Sequence, residues 1–190
     1  MRNLILASQS PRRRELLEKC GYPFDVVVAD IDESIDSNLP LEDAIQQLAY
    51  KKAKKIFDDN PDAIVIGSDT IVSINQNILG KPKDEVDAFN TLKLLSGKTH
   101  EVITGLTVLT KQKTYNHISV NHVTFYDLSD EEIKKYISSK EPMDKAGSYA
   151  IQGIASRYIK SIEGDYYAIV GLPVSVVYHI LKEIYNDWKL

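Results

Sequence analysis

The 190-residue sequence contains a single cysteine, Cys20, which excludes a disulfide bond within the chain. It also lacks any apolar run close to the roughly 18 residues that a membrane-spanning helix needs. The first apolar stretch, 4–7, gives way to polar residues at once, so we expect no secretory signal peptide. Together these absences predict a cytoplasmic protein with no membrane partner.

An excess of positive charge is missing as well, because 27 Asp and Glu outnumber 23 Lys and Arg. A broad basic surface for duplex nucleic acid is therefore excluded, and any anion-binding site has to be local. Glycine and proline are too few for a fibrous or disordered chain, and 43% hydrophobic residues is ordinary for a globular one. Since no internal repeat or long linker appears, we expect one domain over residues 1–190.

Apolar periodicity predicts helices and strands in uneven alternation. Helices are expected to begin near Pro11, Leu41, Asp84, Ser129 and Pro173, and strands are expected at 4–7, 24–28, 63–74, 102–110, 119–126 and 158–162. This irregular order favours an α/β or α+β fold with a mixed sheet over a regular parallel one. Apolar residues at helical spacing, ending at Trp188, assign the last helix to the core.

The first predicted helix begins with residues that a helix start disfavours. Ser10 and Pro11 are typical of a helix N-terminus, so the three arginines that follow lie where free N–H groups already present positive charge. An anion would reverse that cost, because a phosphate accepts bonds from N–H and guanidinium groups together. Ser8 and Ser10 add hydroxyl donors. The alternative interpretation is that the arginines are simply solvated.

Charged residues also interrupt two apolar patterns. Lys52 lies in the middle of the apolar stripe of the second helix, so its ammonium group either reaches solvent or meets an anion. Asp69 follows an apolar strand, and Gly67 on the same face leaves space for a ligand. Asp69 is then either a turn residue in a bulge, or a general base or metal ligand held at the sheet. Glu33, in an acidic loop, is a candidate to share a cation with Asp69.

Two other patterns indicate no site. Gly97-Lys98-Thr99 looks like the end of a P-loop, but Leu92 stands where the earlier glycine is required, and a helix rather than a strand precedes it. The four histidines show no spacing typical of zinc ligands. A phosphotransferase that depends on a P-loop is therefore not favoured.

Short motifs follow one another along the whole chain: LASQSPRR (6–13), DE (32–33), LA (48–49) with KA (52–53), GSDT (67–70), GKP (80–82), LSGKTH (95–100), DKAGSY (144–149), IQG (151–153) and VGLP (170–173). Jointly and in this order they resemble the Maf family of nucleoside triphosphate pyrophosphatases, also known as septum-formation-inhibitor-like proteins. The resemblance implies cleavage between the α- and β-phosphates of a nucleoside triphosphate. It also implies an elongated mixed sheet flanked by helices, with two lobes and a cleft between them.

The resemblance further implies that Asp69 is the proton acceptor and that a divalent cation, Mg²⁺ or Mn²⁺, is required. Glu33 and Asp69 are our candidate metal ligands. Within the family, the branch that acts on 7-methyl-GTP typically has Trp, Gln and Glu where this chain has Arg12, Thr70 and Gln152. At these positions, and in its Asp144-Lys145 pair, the chain looks like the dTTP/UTP branch.

The substrate is expected to be held by residues of several motifs. For the triphosphate we expect Ser8, Arg12, Arg13, Lys52 and Lys81, and for the base Gln152 with Thr70 and Arg12. A glutamine side chain offers one acceptor and two donors, which suits the two carbonyls and the N–H of thymine or uracil. A nucleotide-sensing regulator of cell division is the alternative function. The oligomeric state is left open, a homodimer being one alternative.

Overall fold

The computed structural model describes residues 3–36 and 38–186. The α-helices in these ranges are α1 (Pro11–Glu18), α2 (Leu41–Asp59), α3 (Glu85–Leu95), α4 (Asp130–Ser138), α5 (Tyr166–Val170) and α6 (Val174–Asn186). The strands are β1 (Leu4–Leu6), β2 (Asp25–Val26), β3 (Ile64–Ile74), β4 (Asn77–Leu79), β5 (Thr99–Leu109), β6 (Thr114–Phe125) and β7 (Ile159–Glu163). Short 3₁₀ turns occupy Glu141–Asp144, Ala146–Ser148 and Ile154–Tyr158. None of the helices in the described ranges has both the length and the apolar character to cross a bilayer. Trp188 lies outside the described residues.

The described strands form one mixed sheet with the order β2-β1-β3-β5-β6-β7, and β4 pairs with β3. Strand β1 lies parallel to both β2 and β3, whereas the β3–β4 and β6–β7 pairs are antiparallel. The predicted α/β class with a mixed sheet is therefore confirmed. The helices expected near Pro11, Leu41, Asp84, Ser129 and Pro173 all form, each within one residue of the expected start.

Strand boundaries differ more from the expectations. Strand β2 has two residues where five were expected, and both are exposed, so its valine-rich sequence is not a buried strand. Strand β6 begins five residues before the expected start. The apolar pattern missed its first half, because that half is polar and only partly buried. Strand β4 was not predicted. It forms because Asn75 and Gln76 both take positive φ, 50° and 65°, the backbone of a tight two-residue hairpin turn.

The chain divides into two compact units. Unit 1 comprises Met1–Thr70, Thr104–Ser119 and Gly171–Leu190, and unit 2 comprises Ile71–Ile103 and Val120–Val170. In unit 1, one buried cluster joins β1, α2, β3 and β5 through residues that include Ile5, Ala53, Ile56, Val65 and Leu109. Full burial of an isoleucine, valine or leucine side chain contributes about 1.5–3 kcal/mol. Unit 1 thus has an apolar core of its own.

Unit 2 has a larger core that is rich in aromatic residues. Helices α3 and α4 contribute Leu92 and Ile133, and strands β5 and β6 contribute Val102 and Val123. The aromatic members are Phe125, Tyr136, Tyr149 and Tyr158. Ring pairs within this set adopt edge-to-face geometry, with centroids 4.9 Å apart for Phe125 and Tyr149 and 5.7 Å apart for Tyr136 and Tyr158.

Candidate active site

The turn between β1 and α1 is fixed by two serine side chains. The Ser8 hydroxyl accepts a bond from the backbone N–H of Ser10 at 3.1 Å, and the Ser10 hydroxyl accepts one from the N–H of Arg13 at 3.5 Å. Ser10 is therefore the N-cap residue of α1, with Pro11 in the first turn, as predicted. A hydroxyl that accepts a bond can still donate its own proton, so the expected donor roles stay open.

Arg13 is the arginine that the fold holds in place. Its Nε donates to the Gly171 carbonyl at 2.9 Å, and its Nη2 donates to Thr70 Oγ1 at 3.2 Å and lies 3.8 Å from Asp69 Oδ1. Burial lowers the pKa of this guanidinium, while the Asp69 charge acts in the opposite direction. Arg14 is exposed, so the simple solvated interpretation holds for that residue and not for Arg13.

Lys52 meets an anion rather than solvent. The residue is only 7% exposed, and its Nζ lies 2.6 Å from Asp69 Oδ1 and 2.8 Å from Glu33 Oε1. A buried ammonium needs such partners, because an unpaired charge inside a protein is costly. The lysine that interrupts the apolar stripe of α2 therefore belongs to a cluster of charged side chains.

The close packing of α2 on the sheet explains how Lys52 reaches Asp69. A Cβ at Gly67 would lie 2.3 Å from the Ala49 carbonyl oxygen, and one at Gly105 would lie 2.8 Å from the Ile45 carbonyl oxygen. Both glycines thus let the helix backbone approach β3 and β5. The expectation that Gly67 leaves space for a ligand is wrong, because α2 fills that space.

Asp69 lies inside the continuous strand β3 and not in a turn, which removes the turn interpretation. Its side chain is 15% exposed, and its contacts with Lys52 and Arg13 both go to Oδ1. The second oxygen, Oδ2, takes no part in either of these contacts. The next residue, Thr70, shares a 2.9 Å hydrogen bond with Thr104 on the neighbouring strand. The Asp69 carboxylate therefore contacts two cations through one oxygen, and a hydrogen bond at the next residue ties its strand to β5.

Glu33 reaches the cluster from the segment between β2 and α2. The neighbouring Asp32 carboxylate accepts bonds from the Ser34 N–H at 2.9 Å and the Ser34 hydroxyl at 2.8 Å. These bonds lower the pKa of Asp32. Glu33 and Asp69 thus both contact the ammonium of Lys52. That the same two carboxylates share a metal cation stays a prediction.

The donor set also suits a divalent metal that arrives with a substrate. No group of three or more His, Cys, Asp or Glu side chains within 3–36 and 38–186 is arranged to hold a metal ion. Glu33 and Asp69 nevertheless offer carboxylate oxygens, and Mg²⁺ is commonly held by one or two carboxylates plus substrate phosphates. The residues therefore fit Mg²⁺ or Mn²⁺ once phosphate oxygens complete the ligand set.

Lys81 and Gln152 lie in unit 2, and both side chains are exposed. The Gly80 carbonyl, one residue before Lys81, accepts a bond from the Gly147 N–H at 3.1 Å. The loop of Lys81 is therefore tied to the segment that leads to Gln152. Arg12 is partly exposed on α1. The substrate-binding roles of these three residues stay predictions.

Sequence reasoning gave no role to two residues that shape the cluster. The Gly171 carbonyl accepts from Arg13 Nε, and the fully buried Ser68 hydroxyl lies 3.1 Å from the same oxygen. Gly171 has φ of 137°, a value that favours glycine. Its place in the VGLP motif was the available signal, but only the folded chain shows that this carbonyl orients Arg13.

Comparison with protein families matches residues 3–184 to the family described as Maf-like protein. The chain belongs to the Maf family. Three relatives of this Maf protein are named dTTP/UTP pyrophosphatase: those of Bacillus cereus and Bacillus thuringiensis are 49% identical to it, and that of Bacillus anthracis is 48% identical. In each case the match covers 98% of both chains.

Among solved structures, the nucleoside-triphosphatase / dITP/XTP pyrophosphatase from Mycobacterium abscessus matches this Maf protein with a TM-score of 0.44 and 12% identity. The match covers 73% of this chain and 94% of that one. A likeness of this size carries no argument about activity. The function is therefore inferred from the relatives at 48–49% identity and from the charge cluster of unit 1, and not from this structural match.

Proposed function

We propose that this Maf protein hydrolyses dTTP and UTP between the α- and β-phosphates, giving the nucleoside monophosphate and pyrophosphate. Relatives that match nearly the whole chain carry the name dTTP/UTP pyrophosphatase. The single observation that carries the proposal is the Asp69 carboxylate, which lies on a buried strand with Lys52 and Arg13 against one of its oxygens. A base flanked by two phosphate-binding cations is what attack of water on a phosphate needs.

The reaction uses the charge cluster in two ways. Phosphate oxygens of the substrate compete with Asp69 for Lys52 and Arg13, and the freed carboxylate then accepts a proton from water. The water oxygen bonds to the α-phosphorus, the bond from that phosphorus to the bridging oxygen breaks, and this oxygen leaves with pyrophosphate. Because negative charge builds on the leaving group, Lys52 and Arg13 stabilise the transition state more than the ground state.

A divalent cation, Mg²⁺ or Mn²⁺, belongs to the proposal. Glu33 and Asp69 would hold it together with phosphate oxygens. When bound, it supplies positive charge that offsets the repulsion between the carboxylates and the polyphosphate. Ser8, Arg12 and Lys81 complete the proposed triphosphate contacts.

Gln152 is proposed to read the base, assisted by Thr70 and Arg12. Its amide offers an acceptor and two donors, which pair with the N–H and the carbonyls of uracil or thymine. Cytosine presents an amino group and an unprotonated ring nitrogen at those places, so the pairing would fail. A site that leaves polar groups unpaired rejects the wrong ligand strongly. UTP and dTTP are therefore expected to react at similar rates, and CTP and purine triphosphates slowly.

A nucleotide-sensing regulator is the less favoured function. A protein that only binds triphosphates has little reason to place a carboxylate near the phosphates unless a cation lies between them, whereas hydrolysis needs a base there. We treat residues 1–190 as one functional domain whose partner is the small-molecule nucleotide. A cytoplasmic location and the lack of a nucleic-acid partner follow from composition alone and stay predictions.

The test is a nucleotide panel with Mg²⁺ or Mn²⁺, assayed for pyrophosphate release. Asp69→Asn is expected to keep the fold and to lower kcat for UTP by about 10²–10⁴-fold. Asp58→Asn is the matched control, because Asp58 pairs with Lys54 on the exposed side of α2. It should leave kcat within about twofold of wild type. An Asp69→Asn enzyme with more than a third of the wild-type kcat contradicts the assignment.

A further inference from the structure

Gln152 stands exposed on a segment whose other residues are mostly buried. We define the Gln152 segment as residues 149–155. Tyr149, Ala150, Ile151 and Ala155 are each less than 10% exposed, whereas Gln152 is exposed. A flexible amide discriminates between bases only if its backbone is fixed before the base arrives, because ordering it on binding would offset the affinity gained. The residues that fix the backbone of this segment therefore affect base specificity.

Glu141 holds the end of the Gln152 segment that follows the glutamine. Its carboxylate accepts bonds from the backbone N–H groups of Ile154, at 2.9 Å, and Ala155, at 3.4 Å. These N–H groups open the 3₁₀ turn Ile154–Tyr158. The same carboxylate accepts a third bond from the Tyr136 hydroxyl at 2.9 Å. Bonds from a charged acceptor to N–H groups are among the stronger hydrogen bonds in proteins.

A glycine is needed at position 153, because the Glu141 carboxylate occupies the space that a larger side chain would fill there. A Cβ at Gly153 would lie 2.4 Å from Glu141 Oε1 and 2.6 Å from Oε2. The carboxylate therefore packs against the backbone of the residue directly after Gln152. The contact crosses 13 residues of chain to Ile154, so it is not a by-product of local helix geometry.

The other end of the Gln152 segment is held by Tyr149. Its hydroxyl lies 2.7 Å from Nε2 of His100, a histidine only 2% exposed, and its ring packs edge-on against both His100 and Phe125. Tyr149 and His100 belong to the core of unit 2 or contact it, so this end is rigid. The backbone of Gln152 is thus held on one side by Tyr149 in the core and on the other by the Glu141 carboxylate.

We propose that Glu141 is a specificity-determining residue, which positions Gln152 for pyrimidine recognition through the N–H groups of Ile154 and Ala155. The inference rests on the proposed function, because it assigns a role in the discrimination made by Gln152. Glu141 acts through the backbone, because its carboxylate is bound to the N–H groups of Ile154 and Ala155. Losing it affects which nucleotide is chosen rather than how phosphate is bound.

The experiment compares Glu141→Ala with Tyr136→Phe, a matched control that removes the third bond to Glu141 and keeps the two N–H bonds. For each enzyme, kcat/KM is measured for UTP and for CTP, and the inhibition constant is measured for inorganic tripolyphosphate. Glu141→Ala is expected to lower the UTP-to-CTP ratio by about tenfold or more, mainly by raising KM for UTP. Tripolyphosphate inhibition should change less than about twofold, and Tyr136→Phe should keep the ratio.

Two results separate failure of this inference from failure of the base assignment on which it rests. A Glu141→Ala enzyme that keeps the wild-type ratio, beside a Gln152→Ala enzyme that loses it, overturns the role of Glu141 alone. Equal kcat/KM for UTP and CTP in the wild type overturns the base assignment and, with it, this role. If Glu141→Ala does not fold, Glu141→Gln retains one acceptor oxygen and decides the question by the same ratio. Amide exchange at Ile154 and Ala155, faster in the Glu141 variants and unchanged in Tyr136→Phe, would support the anchor directly.

Discussion

The apolar stripe of α2 alone predicts that replacing Lys52 by Met stabilises the free protein or leaves its stability unchanged. The ion pairs of Lys52 reverse that expectation, and the substitution should destabilise the protein through the loss of charge pairing. The side chains of Lys52 and Asp69 are only 8% and 15% exposed, whereas Glu33 is 56% exposed and can be hydrated. Removing one partner of a buried ion pair costs about 3–5 kcal/mol, and the partial exposure places this case near about 3 kcal/mol. For a chain of this length that is a fall in Tm of roughly 6–12 °C.

A double-mutant cycle isolates the pair. In the Asp69→Asn background Lys52 keeps only its bond to Glu33, so Lys52→Met should then cost about 1 kcal/mol, which leaves a coupling of about 2 kcal/mol. The matched cycle on the exposed pair Lys54 and Asp58 of the same helix should give about 0.5 kcal/mol or less. Urea unfolding with unchanged m-values supplies the free energies. A coupling for Lys52 and Asp69 no larger than that of the exposed pair would refute the reasoning.

The remaining predictions concern packing, pH and metal. Gly67→Ala should destabilise the protein by about 1–3 kcal/mol in urea unfolding, since its Cβ would meet the Ala49 carbonyl at 2.3 Å; an unchanged midpoint would contradict the close approach of α2. Burial lowers the pKa of His100 to about 4, below its value of about 6.5 in the unfolded chain. The unfolded state therefore binds the extra proton between these values, and stability falls as pH drops from about 6.5 to 4, by about 2–3 kcal/mol between pH 7 and 4.5; His100→Gln should show a smaller fall. Excess EDTA should abolish pyrophosphate release and Mg²⁺ or Mn²⁺ should restore it, whereas undiminished hydrolysis in EDTA would remove the metal role of Glu33 and Asp69.

Local signals in the sequence were enough for the five longer helices and for the members of the charge cluster, whereas the short helix α5 was not predicted. Ser10 and Pro11 mark the start of α1 through capping chemistry, which depends on neighbouring residues only. Lys52 and Asp69 stand out because each breaks the apolar pattern of its own element. Element type and anomalous charges are therefore readable without knowledge of the fold.

The contacts between elements were not readable. The pairing of Lys52 with Asp69 depends on how closely α2 approaches β3. The space above Gly67 was assigned to a ligand, because the local sequence does not show that the backbone of α2 occupies it. The bond from Arg13 to the Gly171 carbonyl joins residues 158 positions apart. Strand β6 was predicted too short, because its first half pairs through its backbone without an apolar face.

The charges of the cluster in unit 1 cancel. Arg13 and Lys52 carry two positive charges, and Glu33 and Asp69 carry two negative ones, and ion pairs link the four groups in the order Arg13, Asp69, Lys52, Glu33. A pocket of cations alone would keep binding any polyphosphate, the pyrophosphate product included. Here each cation forms an ion pair with a carboxylate of the same unit. The carboxylates can therefore compete with the product for the cations after each turnover. We therefore expect internal pairing of this kind to weaken the binding of free anions and to limit inhibition by pyrophosphate.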